Sequence, residues 1–262
     1  MADASLLHAL ILGLVEGITE FLPISSTGHL ILAGHLLGFD DARAGVFFVA
    51  IQTGAMLAVV WEYRARFFRI DTRLWLNLAV AFVPAAILGL LFGSFIKEML
   101  FKPVPVALAF IVGGLIILFV EKKSLNFRIQ TTQSMSWLDA LKVGFAQCFA
   151  LIPGTSRSGA SIIGGMLFGL SRPAATEFSF FLAVPTLCAA GAWDLWQHRA
   201  LFSGADLGML AVGIAVSFAS AFVVIRWLIR YVATHDFRPF AWYRIAFGIF
   251  VLAAVELSLY PG

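Results

Sequence analysis

Residues 16–29 read EGITEFLPISSTGH, a polar, proline-containing stretch inside an otherwise apolar segment that covers residues 5–38. A second broken segment covers residues 136–169 and contains the run PGTSRSG at residues 153–159. Irregular backbone at membrane depth is tolerated only where protein buries it or where it lines a wet cavity. We therefore predict that each segment forms two half-helices that meet at a polar tip, as a re-entrant pair.

The rest of the sequence has the composition of a membrane protein. Apolar residues make up 61% of the chain and charged residues 13%, and the mean hydropathy is +0.93. Soluble domains are about half apolar and about a quarter charged. Because about 20 apolar residues cross a bilayer as a helix, the long apolar runs predict an all-α membrane protein with six transmembrane helices plus the two re-entrant pairs. The runs are 46–61, 74–96, 104–120, 178–193, 207–225 and 245–259.

The two broken segments resemble each other. A shift of 131 residues superposes Ser25 on Ser156 and Glu16 on Gln147, which brings the polar tips into register. Further matches pair Ala9 with Ala140, Gly13 with Gly144, Gly28 with Gly159, Ile31 with Ile162, Gly34 with Gly165 and Gly38 with Gly169. We therefore predict an internal duplication, with repeats of roughly 5–120 and 136–259, in a single integral membrane domain over residues 1–262.

Loop charges predict the orientation in the membrane. With six spans, one face collects Arg64, Arg66, Arg69, Arg73, Lys122, Lys123, Arg128, Arg172, Arg226, Arg230 and Arg238. The other face has little beyond Arg43, Lys97, Lys102 and Arg199. The basic face is expected in the cytoplasm. Both termini and the first broken segment then start from the outer side, while the second enters from the cytoplasm. An odd number of spans separates the repeats, so they are predicted to be inverted, with a shared site near the midplane.

Glu16 and Glu20 lie one helical turn apart within the first segment, so they share a helix face. Two carboxylates at low dielectric repel each other unless one is protonated or a cation intervenes. A hard divalent ion with oxygen ligands relieves that repulsion. A simpler interpretation is a carboxylate pair that faces interfacial water, but acidic residues inside membrane segments are usually functional.

After Pro23 the chain reads Ile24-Ser25-Ser26-Thr27-Gly28-His29. Hydroxyl residues at a helix start cap the unpaired backbone N–H groups, and those groups also form an anion site. His29 follows Ser26 by three residues, so this pair is a candidate nucleophile and base. Ordinary helix capping with an interior histidine explains the same pattern.

The second tip again has a proline followed by hydroxyl residues, and it also contains Arg157. A guanidinium at membrane depth must face an anion or a cavity, and its fork matches phosphate oxygens. Hydroxyls, backbone donors, a guanidinium, an imidazole and a carboxylate pair together satisfy what phosphoryl transfer requires. Other polar residues have simpler interpretations: Arg244, just inside the last span, is expected to snorkel to the interface, and Cys148 and Cys188 have neither pairing nor metal-ligand spacing.

Residues 16–29 and 153–159, together with Phe180-Phe-Leu-Ala-Val-Pro185, resemble the signatures of the undecaprenyl-diphosphate phosphatase family of the bacitracin-resistance type. The resemblance extends over nearly the whole chain. It implies an enzyme of the bacterial inner membrane that hydrolyses undecaprenyl diphosphate to undecaprenyl phosphate and inorganic phosphate on the periplasmic side. The reaction recycles the lipid carrier for peptidoglycan synthesis and confers bacitracin resistance. The resemblance also implies a divalent cation, Mg²⁺ or Ca²⁺.

The motif positions imply roles for individual residues. Glu16 and Glu20 take the metal or base role, Ser26 is the favoured nucleophile with His29 nearby, and Arg157 clamps the diphosphate. The residues expected to line the substrate are Ser25, Thr27, Thr155, Ser156, Ser158 and Ser161. Ser161 stands where the family is expected to have threonine, which keeps the hydroxyl. Whether Ser26, His29 or water attacks phosphorus is left open by the sequence.

The main alternative is a transporter for a polyprenyl phosphate, because inverted repeats with broken helices are a transporter design. A transporter would use the same anion cavity but would not need serine, histidine and a carboxylate pair at one site, which favours hydrolysis. The expected partners are a polyprenyl diphosphate lipid and membrane lipid, with no nucleic acid and with a homodimer left open.

Overall fold

Helices account for most of the chain. The structure, a computed structural model, describes residues 2–40, 42–69, 71–100, 102–197 and 207–257. Within these ranges the chain contains helices, turns and one isolated bridge between Ile129 and Leu170. The α-helices are α1 (Ala2–Thr19), α2 (Ser26–Leu36), α3 (Ala42–Glu62), α4 (Arg64–Phe67), α5 (Thr72–Leu100), α6 (Pro103–Lys122), α7 (Trp137–Gln147), α8 (Arg157–Leu167), α9 (Arg172–Gln197), α10 (Leu207–Val232) and α11 (Arg238–Glu256).

Six of the described helices are long and apolar enough to cross a membrane. Their spans are Arg43–Glu62, Thr72–Gly93, Pro103–Lys122, Arg172–Trp193, Leu207–Val232 and Arg238–Glu256. Each contains or overlaps one of the six predicted apolar runs, so the prediction of an all-α protein with six candidate membrane-spanning helices is confirmed. The chain is a multi-pass membrane protein. Residues 258–259 of the last run, and Arg199 among the predicted loop charges, lie outside the described residues.

Each broken segment contains a short helix, and the backbone geometry at the two ends of this helix is the same in both segments. Helices α2 and α8 each have 11 residues, which corresponds to about 16 Å, roughly half of the hydrocarbon core. Each follows a serine in the left-handed region, Ser25 with φ 71° and Ser156 with φ 73°. Each is followed by a glycine in that region, Gly38 with φ 65° and Gly169 with φ 96°. These four residues form two of the pairs that the 131-residue shift superposes.

The chain divides into two compact units. The first comprises the described residues of Met1–Phe21, His29–Ile70 and Ala183–Leu228. In it, α1 and α10 approach closely where Gly13 meets the backbone of Gly213, since a Cβ on Gly13 would lie 2.6 Å from the Gly213 carbonyl oxygen. Such close approach through small residues is how membrane helices pack. The buried core of this unit includes Ala9, Leu12, Leu30, Phe47 and Ile51.

The second unit comprises the described residues of Leu22–Gly28, Asp71–Leu182 and Ile229–Gly262. Here α6 packs on α11, with Gly248 close enough that an added Cβ would lie 2.7 Å from the Ala107 carbonyl oxygen. At one end of this unit, the buried carboxylate of Glu121 accepts hydrogen bonds from the Arg172 side chain and from the Phe237 N–H, the latter at 2.9 Å. These contacts bring one end each of α6, α9 and α11 together.

Helix α7 starts with a complete capping box in the second unit. The Ser136 hydroxyl accepts from the Asp139 N–H at 3.3 Å, and the Asp139 carboxylate accepts from the Ser136 N–H at 3.0 Å. Asp139 also forms an ion pair with Arg128. Burial alone would raise the pKa of Asp139, but the hydrogen bonds from Arg128 and Ser136 to its ionised form hold that pKa below its ordinary value.

Candidate functional site

The second unit contains a hydroxyl-rich turn from each broken segment, the first serine turn (Leu22–Gly28) and the second serine turn (residues 153–159). The two turns are in direct contact, because the Ser158 hydroxyl donates a hydrogen bond to the Leu22 carbonyl oxygen at 2.7 Å. Ser158 and Leu22 are 136 positions apart in the sequence. The structure therefore brings together the two hydroxyl-rich motifs of the second unit that the sequence placed at a shared site.

The second serine turn is organised by its own side chains. The Ser156 side chain caps α8 by accepting a hydrogen bond from the Gly159 N–H at 3.1 Å, and its oxygen lies 3.0 Å from that of Ser158. Because Ser156 has a positive φ, the backbone reverses at this residue and α8 starts at the next one. The first N–H groups of a helix are open to anions at such a start.

The first serine turn has a matching layout. Ser25 has a positive φ and α2 begins at Ser26. Both serines are buried, whereas Thr27, like Thr155 of the second turn, is half-buried. The second unit thus holds two helix starts with serine and threonine hydroxyls at each, in a chain whose other long segments are apolar.

Arg157 is the guanidinium of this site, and α9 holds its side chain. Its Nη1 donates to the Ser179 carbonyl oxygen at 2.9 Å and to the Ser179 hydroxyl at 3.4 Å. The Ser179 hydroxyl lies 2.7 Å from that of Ser161, which also donates to the Arg157 carbonyl oxygen at 2.9 Å. Ser158 and Ser161 are both fully buried. Their hydroxyls already bond to protein groups, so direct substrate contact would have to displace those bonds.

Sequence reasoning missed Ser179. A serine within the apolar run 178–193 is a signal that could have found it, because hydroxyls inside membrane helices often bond across helices. Its position beside the conspicuous Phe180–Pro185 motif was a second available signal.

The expectation that Arg244 snorkels to the interface is wrong. The residue is 1% exposed and lies in α11 within the second unit. Its guanidinium donates to five backbone carbonyl oxygens: Phe110 from Nε at 3.3 Å, Pro23 and Thr155 from Nη1 at 3.0 and 2.9 Å, and Ala109 and Gly154 from Nη2, both at 3.0 Å. A buried guanidinium is retained only where its donors are satisfied, and here carbonyls of both serine turns and of α6 satisfy them.

Glu16, Glu20 and His29 belong to the first unit. Glu16 is 0% and Glu20 6% exposed. The Glu20 N–H bonds the Glu16 carbonyl oxygen at 2.9 Å, so the helical turn continues past α1 and keeps the carboxylates on one face. His29 lies in α2 and is half-buried.

The carboxylate pair fits a divalent cation. Within the described residues there is no group of three or more His, Cys, Asp or Glu side chains placed to hold a metal ion. Mg²⁺ is commonly held by one or two carboxylates, with waters and substrate phosphate oxygens as the remaining ligands. A buried carboxylate pair in a membrane protein therefore matches that donor set.

An apolar groove in the second unit adjoins the second serine turn. Its volume is about 390 Å³. Helices α6, α7 and α8 form its walls, and Thr155, Gly159 and Arg244 lie along it beside the turn. The apolar lining residues include Ile116, Ile117, Phe145, Phe149, Ile163 and Leu167. This combination of an apolar groove with a polar group beside it suits a lipid that carries a charged head.

Comparisons with known proteins agree with these observations. The family model described as Bacitracin resistance protein BacA matches residues 9–250. An undecaprenyl-diphosphatase of Dechloromonas aromatica is 62% identical, with 97% of this chain and 96% of that protein covered. Undecaprenyl-diphosphatase 2 of Rhodospirillum rubrum is 61% identical, with the same coverage. An undecaprenyl-diphosphatase of a Janthinobacterium species is 60% identical over 98% of this chain and 96% of that protein. The family match and these near-full-length identities show that the chain belongs to the bacitracin resistance protein BacA family.

Proposed function

We propose that the protein is an integral membrane phosphatase that hydrolyses undecaprenyl diphosphate to undecaprenyl phosphate and inorganic phosphate. This reaction recycles the lipid carrier of peptidoglycan synthesis and accounts for bacitracin resistance. The observation that carries the proposal is the contact between the two serine turns, with Arg157 at the start of α8, in a chain of apolar helices. The names of the relatives at about 60% identity support the substrate.

In this proposal both serine turns bind the diphosphate of the substrate. Arg157, held by Ser179, clamps the diphosphate, because a guanidinium fork pairs with phosphate oxygens. The hydroxyls of Ser25, Thr27, Thr155 and Ser156 and the first N–H groups of α2 and α8 line the anion. Ser158 and Ser161 stabilise the turn and Arg157 through their present hydrogen bonds.

The attacking group in this proposal is Ser26, with His29 as its base; attack by water or by His29 is the alternative that mutagenesis decides. A serine nucleophile needs a base in reach. Glu16 and Glu20 hold a divalent cation, Mg²⁺ or Ca²⁺. When bound, such an ion neutralises charge on the phosphate oxygens.

The finer architecture is part of the proposal. We infer that the two broken segments are re-entrant pairs of an inverted repeat. Support comes from the equal lengths of α2 and α8 and from the paired positive-φ residues at their ends. In this arrangement the protein lies in the bacterial inner membrane, the active site opens to the periplasm, and both termini are periplasmic.

The decisive experiment is phosphate release by the purified, lipid-reconstituted protein from undecaprenyl diphosphate, with Mg²⁺, with Ca²⁺ and with a chelator. We expect metal-dependent release that is abolished in Arg157→Ala and Glu20→Ala, both still folded and inserted. Loss in Ser26→Ala as well supports the serine nucleophile, whereas release by Ser26→Ala assigns the attack to water or His29. Near-normal turnover in Arg157→Ala or Glu20→Ala would refute the site.

The same preparation tests the transporter alternative. The relatives compared above are all named diphosphatases, which does not favour it. A protein that releases no phosphate but moves a polyprenyl phosphate across vesicles would replace the enzymatic proposal with transport.

A further inference from the structure

The buried guanidinium of Arg244 is the strongest feature that the proposed chemistry does not use. An arginine side chain has five N–H donors, and the five carbonyl bonds of Arg244 occupy all of them. It therefore has no donor left for a phosphate oxygen unless one of these bonds breaks. Its function differs from that of a substrate clamp such as Arg157.

The bonds of Arg244 join segments that are far apart in sequence. Its carbonyl partners at Pro23 and Thr155 are 221 and 89 residues away, one in each serine turn. The same Nη1 makes both bonds, so one nitrogen fixes the spacing of the two turns. Bonds to Ala109 and Phe110 attach this junction to α6.

Glycines make room for the guanidinium. A Cβ on Gly113 of α6 would overlap Nη2 of Arg244, and a Cβ on Gly159 would lie 3.3 Å from Nη1. The turn that contains Ser156 and Arg157 therefore lies directly against this positive charge.

The charge of Arg244 is not neutralised by a carboxylate. In the described part of the chain its hydrogen-bond partners are all carbonyl oxygens, and it forms no ion pair there. A cation buried at membrane depth is costly. A diphosphate bound at the adjacent turns would offset part of that cost, because Coulomb interactions are strong at low dielectric.

We propose that Arg244 is a positioning residue for the anion site: it sets the spacing of the two serine turns and supplies a fixed positive charge to a bound diphosphate without touching it. The proposal rests on the proposed function for its catalytic part, whereas the binding part concerns the anion alone. Geometry and charge are separable, since three substitutions disturb them differently.

Arg244→Lys keeps the charge but loses the fork, and Arg244→Gln loses the charge while keeping two donors. Gly113→Ala keeps charge and donors but displaces the guanidinium. The matched control is Gly93→Ala in α5, because a Cβ at Gly93 meets nothing within 4 Å. Each variant is measured for kcat and KM of phosphate release and for the thermal midpoint with and without magnesium pyrophosphate.

We expect Arg244→Gln to lose the pyrophosphate-induced rise of the midpoint and to raise KM by roughly 30-fold or more. Arg244→Lys and Gly113→Ala keep most of the pyrophosphate effect but lower kcat by roughly tenfold, while Gly93→Ala matches the wild type. Equal pyrophosphate effects in the Lys and Gln variants would overturn the charge role. Unchanged kcat and KM in folded Arg244→Lys and Gly113→Ala, with only the midpoint lowered, would overturn the positioning role.

These measurements distinguish a failure of this inference from a failure of the proposed function. If the wild type releases no phosphate but pyrophosphate stabilises it and not Arg244→Gln, the enzymatic proposal fails and the anion-binding role stands. If the wild type is active but no pyrophosphate effect depends on residue 244, the charge role of Arg244 fails and the proposed function stands. Should Arg244→Gln not fold, Arg244→Lys and Gly113→Ala still decide the positioning role.

Discussion

The Arg157 guanidinium is held in place by an uncharged residue, Ser179. The Ser179 hydroxyl accepts from Arg157 and bonds the Ser161 hydroxyl, whereas the Ser179 carbonyl remains as a partner after substitution. We expect Ser179→Ala to lower stability by about 1 kcal/mol and to raise KM several-fold, because a less restrained guanidinium binds the diphosphate less well. Steady-state kinetics and thermal midpoints measure the two effects.

Ser217→Ala is the matched control for that substitution. Ser217 is equally buried in a membrane span, α10, but within the described residues its hydroxyl has no hydrogen-bond partner. Replacing a buried unsatisfied hydroxyl is neutral or stabilising. A rise in KM in both variants would mean that any buried serine loss disturbs the protein, and the assignment to Ser179 would be withdrawn.

Candidate site residues could be singled out from the sequence only where a residue is chemically out of place. Ser25, Ser156 and Arg157 interrupt apolar segments, so composition alone singles them out. Arg244 also does so, but its bonds go to backbone carbonyls 89 to 221 residues away. Every residue has a carbonyl, and no side-chain pattern therefore indicates which carbonyls will converge. Its burial follows from tertiary packing alone.

Among the elements, α7 offers a prediction about acid stability. Asp139 has a pKa below its ordinary value, so its ionised form stabilises the folded state at pH above about 4. That stability is lost as pH falls through the lowered pKa. We expect Asp139→Asn to lower the thermal midpoint at pH 7 by an amount equivalent to about 1–2 kcal/mol. The gap to the wild type should shrink below about pH 4.

Arg128→Met serves as the partner variant, because it removes the ion pair but leaves the capping box with Ser136 intact. The double variant should show less than the sum of the single losses, as expected for residues in contact. A gap between the wild type and Asp139→Asn that stays constant from neutral to acidic pH would contradict the electrostatic explanation.

The groove between α6, α7 and α8 predicts how the length of the substrate's polyprenyl tail affects KM. Ala160 of α8 lines it and is half-buried, so Ala160→Trp fills part of its volume. We expect KM for undecaprenyl diphosphate to rise about tenfold, since about 1.4 kcal/mol corresponds to roughly 60 Å² of lost apolar contact. The short farnesyl diphosphate should be affected less. Leu138→Trp, on the exposed face of α7 outside the groove, is the control.

If Ala160→Trp changes the KM of both substrates equally, the tail does not occupy this groove and the indole disturbs the serine turn instead. If neither KM changes, the groove holds only bulk lipid. The two outcomes are separable in the same assay, because the headgroup is common to both substrates.

Of the elements, the long helices were the most predictable. An apolar run of about 20 residues has one stable structure in a bilayer, and the six runs correspond to six described spans. The short helices were predictable in part: proline and polar residues indicated a break, but the positive φ of Ser25 and Ser156 was not indicated, because serine has no preference for that region. The resemblance between the segments gave the only sequence signal of their common geometry.

For the whole molecule, the central prediction is orientation, and a cysteine pair across α5 tests it. Phe68 precedes the span Thr72–Gly93 and is highly exposed, while Lys102 follows that helix and is exposed. The basic residues near Phe68 predict that it lies in the cytoplasm, and a single span would then put Lys102 outside. In a background lacking Cys148 and Cys188, Phe68→Cys should react with a membrane-impermeant maleimide only in inverted vesicles, and Lys102→Cys only in intact spheroplasts. The reverse labelling pattern would place the basic face outside and move the proposed active site to the cytoplasmic side. Labelling of both positions from one side would show that α5 does not span the membrane, and the inverted repeat would then be withdrawn.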